Sequence, residues 1–212
     1  MTTMNGKGQL HIEYWGQDLP YPDAVARQEA AVADVLNGGQ EKLFMVEHAP
    51  LYTAGSSAIP ADYLGYKDIP VYPSGRGGQY TYHGPGQRVA YPILDLRERG
   101  RDLRKYIHSL QEWLILTLAD FGVEGYRRDE VGVWVDVQGQ PHKIAAIGVR
   151  VRKWVTFHGI ALNVCPDLSH FQGIVPCGIR QFGVTSLAAL GKEHDLAMVD
   201  RQLIENFQKV FP

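Results

Sequence analysis

Between Val131 and Asn163 the chain carries three strand-like runs, Val131–Val137, Lys143–Val151 and Trp154–Asn163, parted only by Gln138-Gly139-Gln140-Pro141 and Arg152-Lys153. Connections this short read as turns, so the stretch predicts a meander of antiparallel strands. The other elements must pack on that sheet. Asp102–Phe121 is the clearest helix, with Leu103, Tyr106, Ile107, Leu110, Trp113, Leu114, Leu118 and Phe121 at helical spacing and Gly122 as its stop, and that stripe reads as core. A second helix spans Leu196–Phe211, and a third starts from Asp18-Leu19-Pro20-Tyr21-Pro22 and stops at Gly38-Gly39. Leu10–Trp15 and Lys42–Glu47 read as strands, the latter ended by Pro50. Pro60–Pro73 reads as a loop with one short strand near Val71. Gln79–His83 and Arg88–Leu94 are expected to form a hairpin across Gly84-Pro85-Gly86-Gln87. Pro166–Thr185 is rich in Gly, Pro and Ser and has no period. The expectation is one α+β domain over residues 1–212, with helices packed on antiparallel-dominated mixed sheets.

A chain of 212 residues buries roughly 70% of its extended surface, enough for a core without disulfides or a structural metal. Net charge is −2, from 21 Lys and Arg against 23 Asp and Glu, so no chain-wide basic field favours nucleic acid. Met1–Gln9 is polar and does not read as a secretory signal, and no run of ~18 apolar residues predicts a membrane span. The only cysteines, Cys165 and Cys177, form no CxxC and fit a reducing cytoplasm.

Cys177 lies between Pro176 and Gly178, a setting that leaves the following N–H unobstructed and suits a nucleophile with an adjacent oxyanion donor. The bland alternative is a small buried hydrophobe, the reading taken for Cys165. A thiol near pKa 8.5 is only a few per cent thiolate at pH 7, so a working Cys177 needs a cation or base beside it. Lys143 and the eight histidines are the candidates. Lys143 opens the apolar run Ile144-Ala145-Ala146-Ile147-Gly148-Val149, where its charge would be partly desolvated; the alternative is a lysine guarding a strand edge. The spacing of Cys165, His170 and Cys177 matches no common zinc pattern, and no metal is called for. The glycine-rich Ser74-Gly75-Arg76-Gly77-Gly78 and His83-Gly84-Pro85-Gly86-Gln87 match neither a Walker A loop nor GxGxxG, and read either as ordinary turns or as backbone that approaches a ligand.

Taken together these segments resemble the octanoyltransferases of lipoate biosynthesis, related to the lipoate and biotin protein ligases. The resemblance is carried by Arg76-Gly77-Gly78-Gln79-Tyr80-Thr81-Tyr82-His83-Gly84-Pro85-Gly86-Gln87 with Tyr91-Pro92-Ile93, and by Glu47-His48-Ala49-Pro50-Leu51-Tyr52-Thr53-Ala54-Gly55. Lys143-Ile144-Ala145-Ala146-Ile147-Gly148, His158-Gly159-Ile160-Ala161-Leu162-Asn163 and Pro176-Cys177-Gly178-Ile179 complete it. It implies the fold of those ligases, and transfer of octanoyl from octanoyl-acyl carrier protein to the lysine of lipoyl domains, in 2-oxoacid dehydrogenases and the glycine cleavage H protein. Cys177 would hold the acyl group with Lys143 as its partner, and no cofactor or ATP would be needed. Substrate-binding segments would be Arg76, Gly77, Gly78, Gln79, Tyr80, Thr81, Tyr82 and His83, then Ala146, Ile147 and Gly148, then Gly159, Ile160 and Ala161. Backbone N–H groups near Gly178 and in the Gly77-Gly78 loop would hold the oxyanion. Cys165, where a polar residue is expected, and Ser56-Ser57-Ala58, in place of a more basic stretch, depart from the pattern.

The rivals are an ATP-dependent lipoate or biotin ligase of the same fold and a non-catalytic carrier-binding module. Arg97, Arg99, Arg101, Arg104 and Lys105 form a basic run at a helix start that could steer an acidic carrier protein, or be a solvated face.

Overall fold

The computed structural model describes residues 10–17, 19–66, 68–175 and 183–212. Its larger sheet is built from β1 (His11–Tyr14), β2 (Lys42–Val46), β6 (Gln87–Ile93), β7 (Val133–Val137), β8 (Gln140–Arg152), β9 (Val155–Asn163) and β10 (Gly183–Val184). Strand order is β1-β2-β6-β9-β8-β10, with β7 also on β8. The expected meander is present: β7, β8 and β9 pair antiparallel in sequence. β1 on β2 and β10 on β8 are parallel, so the sheet is mixed but antiparallel-dominated. A second sheet holds β3 (Leu51–Ala54), β4 (Val71–Pro73) and β5 (Tyr80–His83), in the order β4-β3-β5.

Alternation along the strands sorts two apolar layers. Leu43 and Met45 join Leu110, Trp113, Leu114 and Leu118 of α2 (Leu103–Asp120), and Val199, Leu203 and Phe207 of α3 (Leu196–Val210). Phe44 and Val46 face the other way, toward Ala24, Ala31, Val32 and Val35 of α1 (Tyr21–Leu36). The large sheet therefore has helices on both faces, which is why every residue of β6 and β9 is buried. The Asp102 and Asp195 side chains accept the Lys105 and Met198 N–H groups, capping α2 and α3. The Trp113 indole donates to the Leu203 carbonyl at 2.7 Å, and Arg88 pairs with Asp200 at 2.6 Å, so α3 is tied to both α2 and the sheet.

Two expectations are corrected. β5 and β6 do not form a hairpin: β5 pairs with β3 in the small sheet, and β6 with β2 and β9 in the large one. The Gly84-Pro85-Gly86 turn carries the chain from one sheet to the other. The strand before Pro50 does end as expected, β2 stopping at Val46, and β3 then starts at Leu51 in the second sheet. A turn between two strands looks alike from sequence whether the strands pair or part company. Cys165, expected in the core, is exposed.

Candidate active site

The two sheets meet around a cavity of about 330 Å³. The small sheet and the loop before it supply Arg76, Gly78, Gln79, Tyr80, Thr81 and His83 to its wall, and β8 and β9 supply Ala146, Ile147, Gly148, Gly159, Ile160 and Ala161. The last six are cross-strand partners, Ala146 opposite Ala161, Ile147 opposite Ile160 and Gly148 opposite Gly159, so the turn between β8 and β9 folds two segments into one patch of wall. A Cβ at Gly148 would stand 2.8 Å from the Arg76 side chain, so glycine is what lets the loop bearing Arg76 close on the sheet.

Arg76 is buried, and its guanidinium is engaged with the loop itself. Nε and Nη2 donate to Thr53 Oγ1 at 3.0 and 2.7 Å, Nη2 also to the Thr53 and Gln79 carbonyls at 2.8 Å each, and Nη1 to the Gly77 carbonyl at 2.9 Å. Its charge faces the cavity while its hydrogen bonds shape the wall. Gly77 donates its N–H to the Val149 carbonyl at 2.9 Å, which removes that donor from the expected oxyanion hole. Tyr82 sits behind the wall, with Tyr52 beside it and its hydroxyl 2.7 Å from His170 Nδ1.

Lys143 reaches the cavity from the start of β8, 8% exposed. Its Nζ donates to the Val131 carbonyl at 2.9 Å and lies 5.1 Å from the centre of the Trp134 ring. The Lys143 side chain passes against Gly132, where an added Cβ would meet its Cε at 2.7 Å and its Nζ at 3.1 Å, and where φ is +146°. Gln111 of α2 donates to the Gly132 carbonyl at 3.0 Å and so fixes that turn from behind. Pro176, Cys177 and Gly178 lie outside the described residues. The chain on either side of them is described: Val175 is buried, and β10 starts at Gly183 with Val184 paired to Lys143. Thr185 then donates its N–H to the Lys143 carbonyl at 3.0 Å.

Sequence reasoning did not single out Tyr21, Gln87, Tyr91, His158 and Asn163, yet all line the cavity. Gln87, His158 and Asn163 stand inside the motifs quoted above, and a polar residue at an otherwise apolar strand position was the available signal. Burial lowers His83 to about 3, helped by His48 and Arg76, and lowers His158 to about 4, helped by Arg76 and Arg150. His48, beside the cavity and 2.7 Å from the Tyr91 hydroxyl, is lowered by burial to about 4. All three rings are neutral at pH 7. The Cys165 thiol is pushed up by partial burial and the Glu47 carboxylate, which disfavours it as a nucleophile.

These histidines predict acid sensitivity. Unfolded, they return toward 6.5 and bind protons that the folded state refuses, so stability is full above that value and is lost as pH falls from about 6.5 toward about 4. Urea midpoints should drop between pH 7 and pH 5, and the drop should shrink in His158→Gln. Equal midpoints at the two pH values would contradict the burial of these rings.

The basic run is partly neutralised. Arg97 pairs with Asp95 at 2.8 Å and Arg99 with Glu41 at 2.6 Å, which leaves Arg101, Arg104 and Lys105 as the part without such a pair among the described residues.

The lipoyl protein ligase A/B catalytic domain model matches residues 20–208. The octanoyltransferase of Paramagnetospirillum magneticum is 58% identical over 205 residues, covering 94% of this chain and 97% of that one. The chain belongs to the octanoyltransferase family. It is accordingly an acyltransferase of lipoate biosynthesis, with the mixed α+β fold of its lipoate and biotin ligase neighbours. A bi-partite lipoate protein ligase from Thermoplasma acidophilum superposes with TM-score 0.66 at 15% identity, covering 94% of this chain and 82% of that one. The biotin protein ligase of Aquifex aeolicus does so with TM-score 0.53 at 14% identity, covering 95% and 68%. At such identities these neighbours speak for the fold alone. Among the described residues no helix is long and apolar enough to cross a membrane.

Proposed function

We propose that residues 1–212 act as one catalytic domain in the cytoplasm, taking octanoyl from octanoyl-acyl carrier protein onto Cys177 and passing it to a lysine of lipoyl domains in 2-oxoacid dehydrogenases and the glycine cleavage H protein. What supports the reading is the seat of Lys143: among the described residues it is the one lysine on the cavity wall, and its backbone is tied to the strand that follows the Cys177 segment in sequence. In the first half-reaction the Cys177 thiolate attacks the donor carbonyl, a new C–S bond forms, the old one breaks, and the carrier sulfur leaves as a thiolate. In the second, the acceptor amine attacks the Cys177 thioester, the C–N bond forms as C–S breaks, and the amine proton ends on the sulfur. Lys143 stabilises the thiolate in both and helps to manage that proton. The apolar wall of Val89, Ala146, Ile147, Ile160 and Ala161 suits an alkyl chain, at ~0.8 kcal/mol per buried methylene.

The test is intact mass spectrometry after mixing with octanoyl-acyl carrier protein, which should add one octanoyl group and map it to the Cys177 peptide. Transfer to a lipoyl domain should then proceed without ATP. An adduct on Cys165, or efficient transfer from octanoate and ATP with no carrier protein, would reject this reading, the second outcome in favour of a ligase.

A further inference from the structure

A chain of hydrogen bonds between buried side chains runs along the wall of the cavity. The His83 Nδ1 lies 2.7 Å from Gln87 Oε1, Gln87 Nε2 donates to Asn163 Oδ1 at 2.9 Å, and Asn163 Nδ2 donates to the Thr185 carbonyl at 3.0 Å. Gln87 Nε2 also reaches the Tyr82 carbonyl at 3.3 Å. The polarity of this chain is forced. The Thr185 and Tyr82 carbonyls can only accept, so both amides must turn their NH₂ groups toward them. Asn163 then offers oxygen to Gln87, and Gln87 offers oxygen to His83. A neutral imidazole facing an acceptor at Nδ1 must carry its proton there, which leaves a lone pair on Nε2. Among the described residues Nε2 has no hydrogen-bond partner, and it is not wholly enclosed, so it opens into the cavity that His83 lines. Thr185 is also bonded through its N–H to the Lys143 carbonyl. The His83 ring and the Lys143 strand are therefore held in one frame.

We propose that Gln87 and Asn163 are positioning residues that lock His83 as its Nδ1–H tautomer, and that His83 Nε2 accepts a hydrogen bond from the attacking lysine amine in the second half-reaction. This rests on the transfer reading given above. The amine must aim its lone pair at the thioester carbon; one N–H held by Nε2 fixes that aim. The C–N bond then forms and C–S breaks, and the amine proton ends on the Cys177 sulfur, so His83 starts and ends neutral. Among the described residues, the charged and titratable groups facing the ring are Arg76, from the loop before β5, His48, after β2, and His158 of β9. All of them oppose its protonation, consistent with a group that must accept at working pH.

Two variants test the assignment, with the half-reactions read separately: octanoyl adduct formation by intact mass, and single-turnover transfer from the preformed adduct to a lipoyl domain. His83→Asn should slow transfer about 20-fold, the size expected for loss of one orienting hydrogen bond, and adduct formation by no more than about threefold. Gln87→Glu still accepts from Nδ1 but places a carboxylate beside the ring, which favours imidazolium; Nε2 then carries a proton and cannot accept. Transfer by this variant should gain an acid limb, falling as pH drops through 7 to 5.5, where the unaltered enzyme has no such limb from His83. Equal slowing of both half-reactions in His83→Asn, or an unchanged pH profile in Gln87→Glu, would overturn the proposal. Failure of the unaltered enzyme to form any adduct would instead overturn the transfer reading beneath it.

Discussion

Lys143→Met should lower octanoyl transfer by about a thousandfold or more while leaving the fold intact, because both half-reactions lose the same charge. Methionine keeps the length and apolar stem of a side chain that is 8% exposed, so the wall around Val131 and Trp134 keeps its filling. What disappears is the only lysine on the cavity wall among the described residues. Without it the thiolate fraction of Cys177 falls, and alkylation by iodoacetamide at neutral pH should slow along with turnover. Lys143→Arg separates charge from proton transfer, since a guanidinium stays protonated in proteins. Alkylation retained with transfer lost would assign Lys143 a proton-carrying role beyond charge stabilisation. Near-normal turnover in both variants would reject Lys143 as the partner of Cys177.

Gly132→Val should cost at least about 100-fold in transfer although residue 132 carries no reactive group, because displacing a reacting group by about 1 Å has that effect. A Cβ here would stand 2.7 Å from Lys143 Cε and 2.8 Å from the Ala145 carbonyl, and φ of +146° disfavours any side chain. The lysine must yield, and its bond to the Val131 carbonyl with it. Circular dichroism should report an unchanged fold, and alkylation of Cys177 should slow as it does in Lys143→Met. Turnover within about threefold of the unaltered enzyme would mean that Lys143 tolerates the displacement and that its seat is not set by Gly132.

The meander and the three helices were legible in the sequence because they depend on short-range physics: periodicity and turn residues. Leu110, Trp113 and Leu118 repeat at helical spacing whatever they pack on, and Gln138-Gly139-Gln140 turns a strand back within a few residues. The glycine-rich loops, Cys177 and Lys143 stand out from their local company, whereas the remaining motif segments were legible only through the family they resemble. What the sequence could not decide is which strands pair. The turn at Gly84-Pro85-Gly86 suits a hairpin and a sheet-to-sheet crossing equally, and only competition among β2, β9 and β3 for partners sends β5 and β6 into different sheets. That parting opens the cavity between the sheets. It also gives Gln87 and Asn163, 76 residues apart, the shared hydrogen bond that orients His83, and no local pattern reveals such a pair. Arg76 shows the same limit from the other side: its type and motif suggest a ligand-binding cation, but its neighbours in space, Thr53 and Gln79, make its guanidinium the clamp of its own loop. Residue identity fixed which groups could do chemistry, and long-range packing fixed which of their atoms remain free to do it.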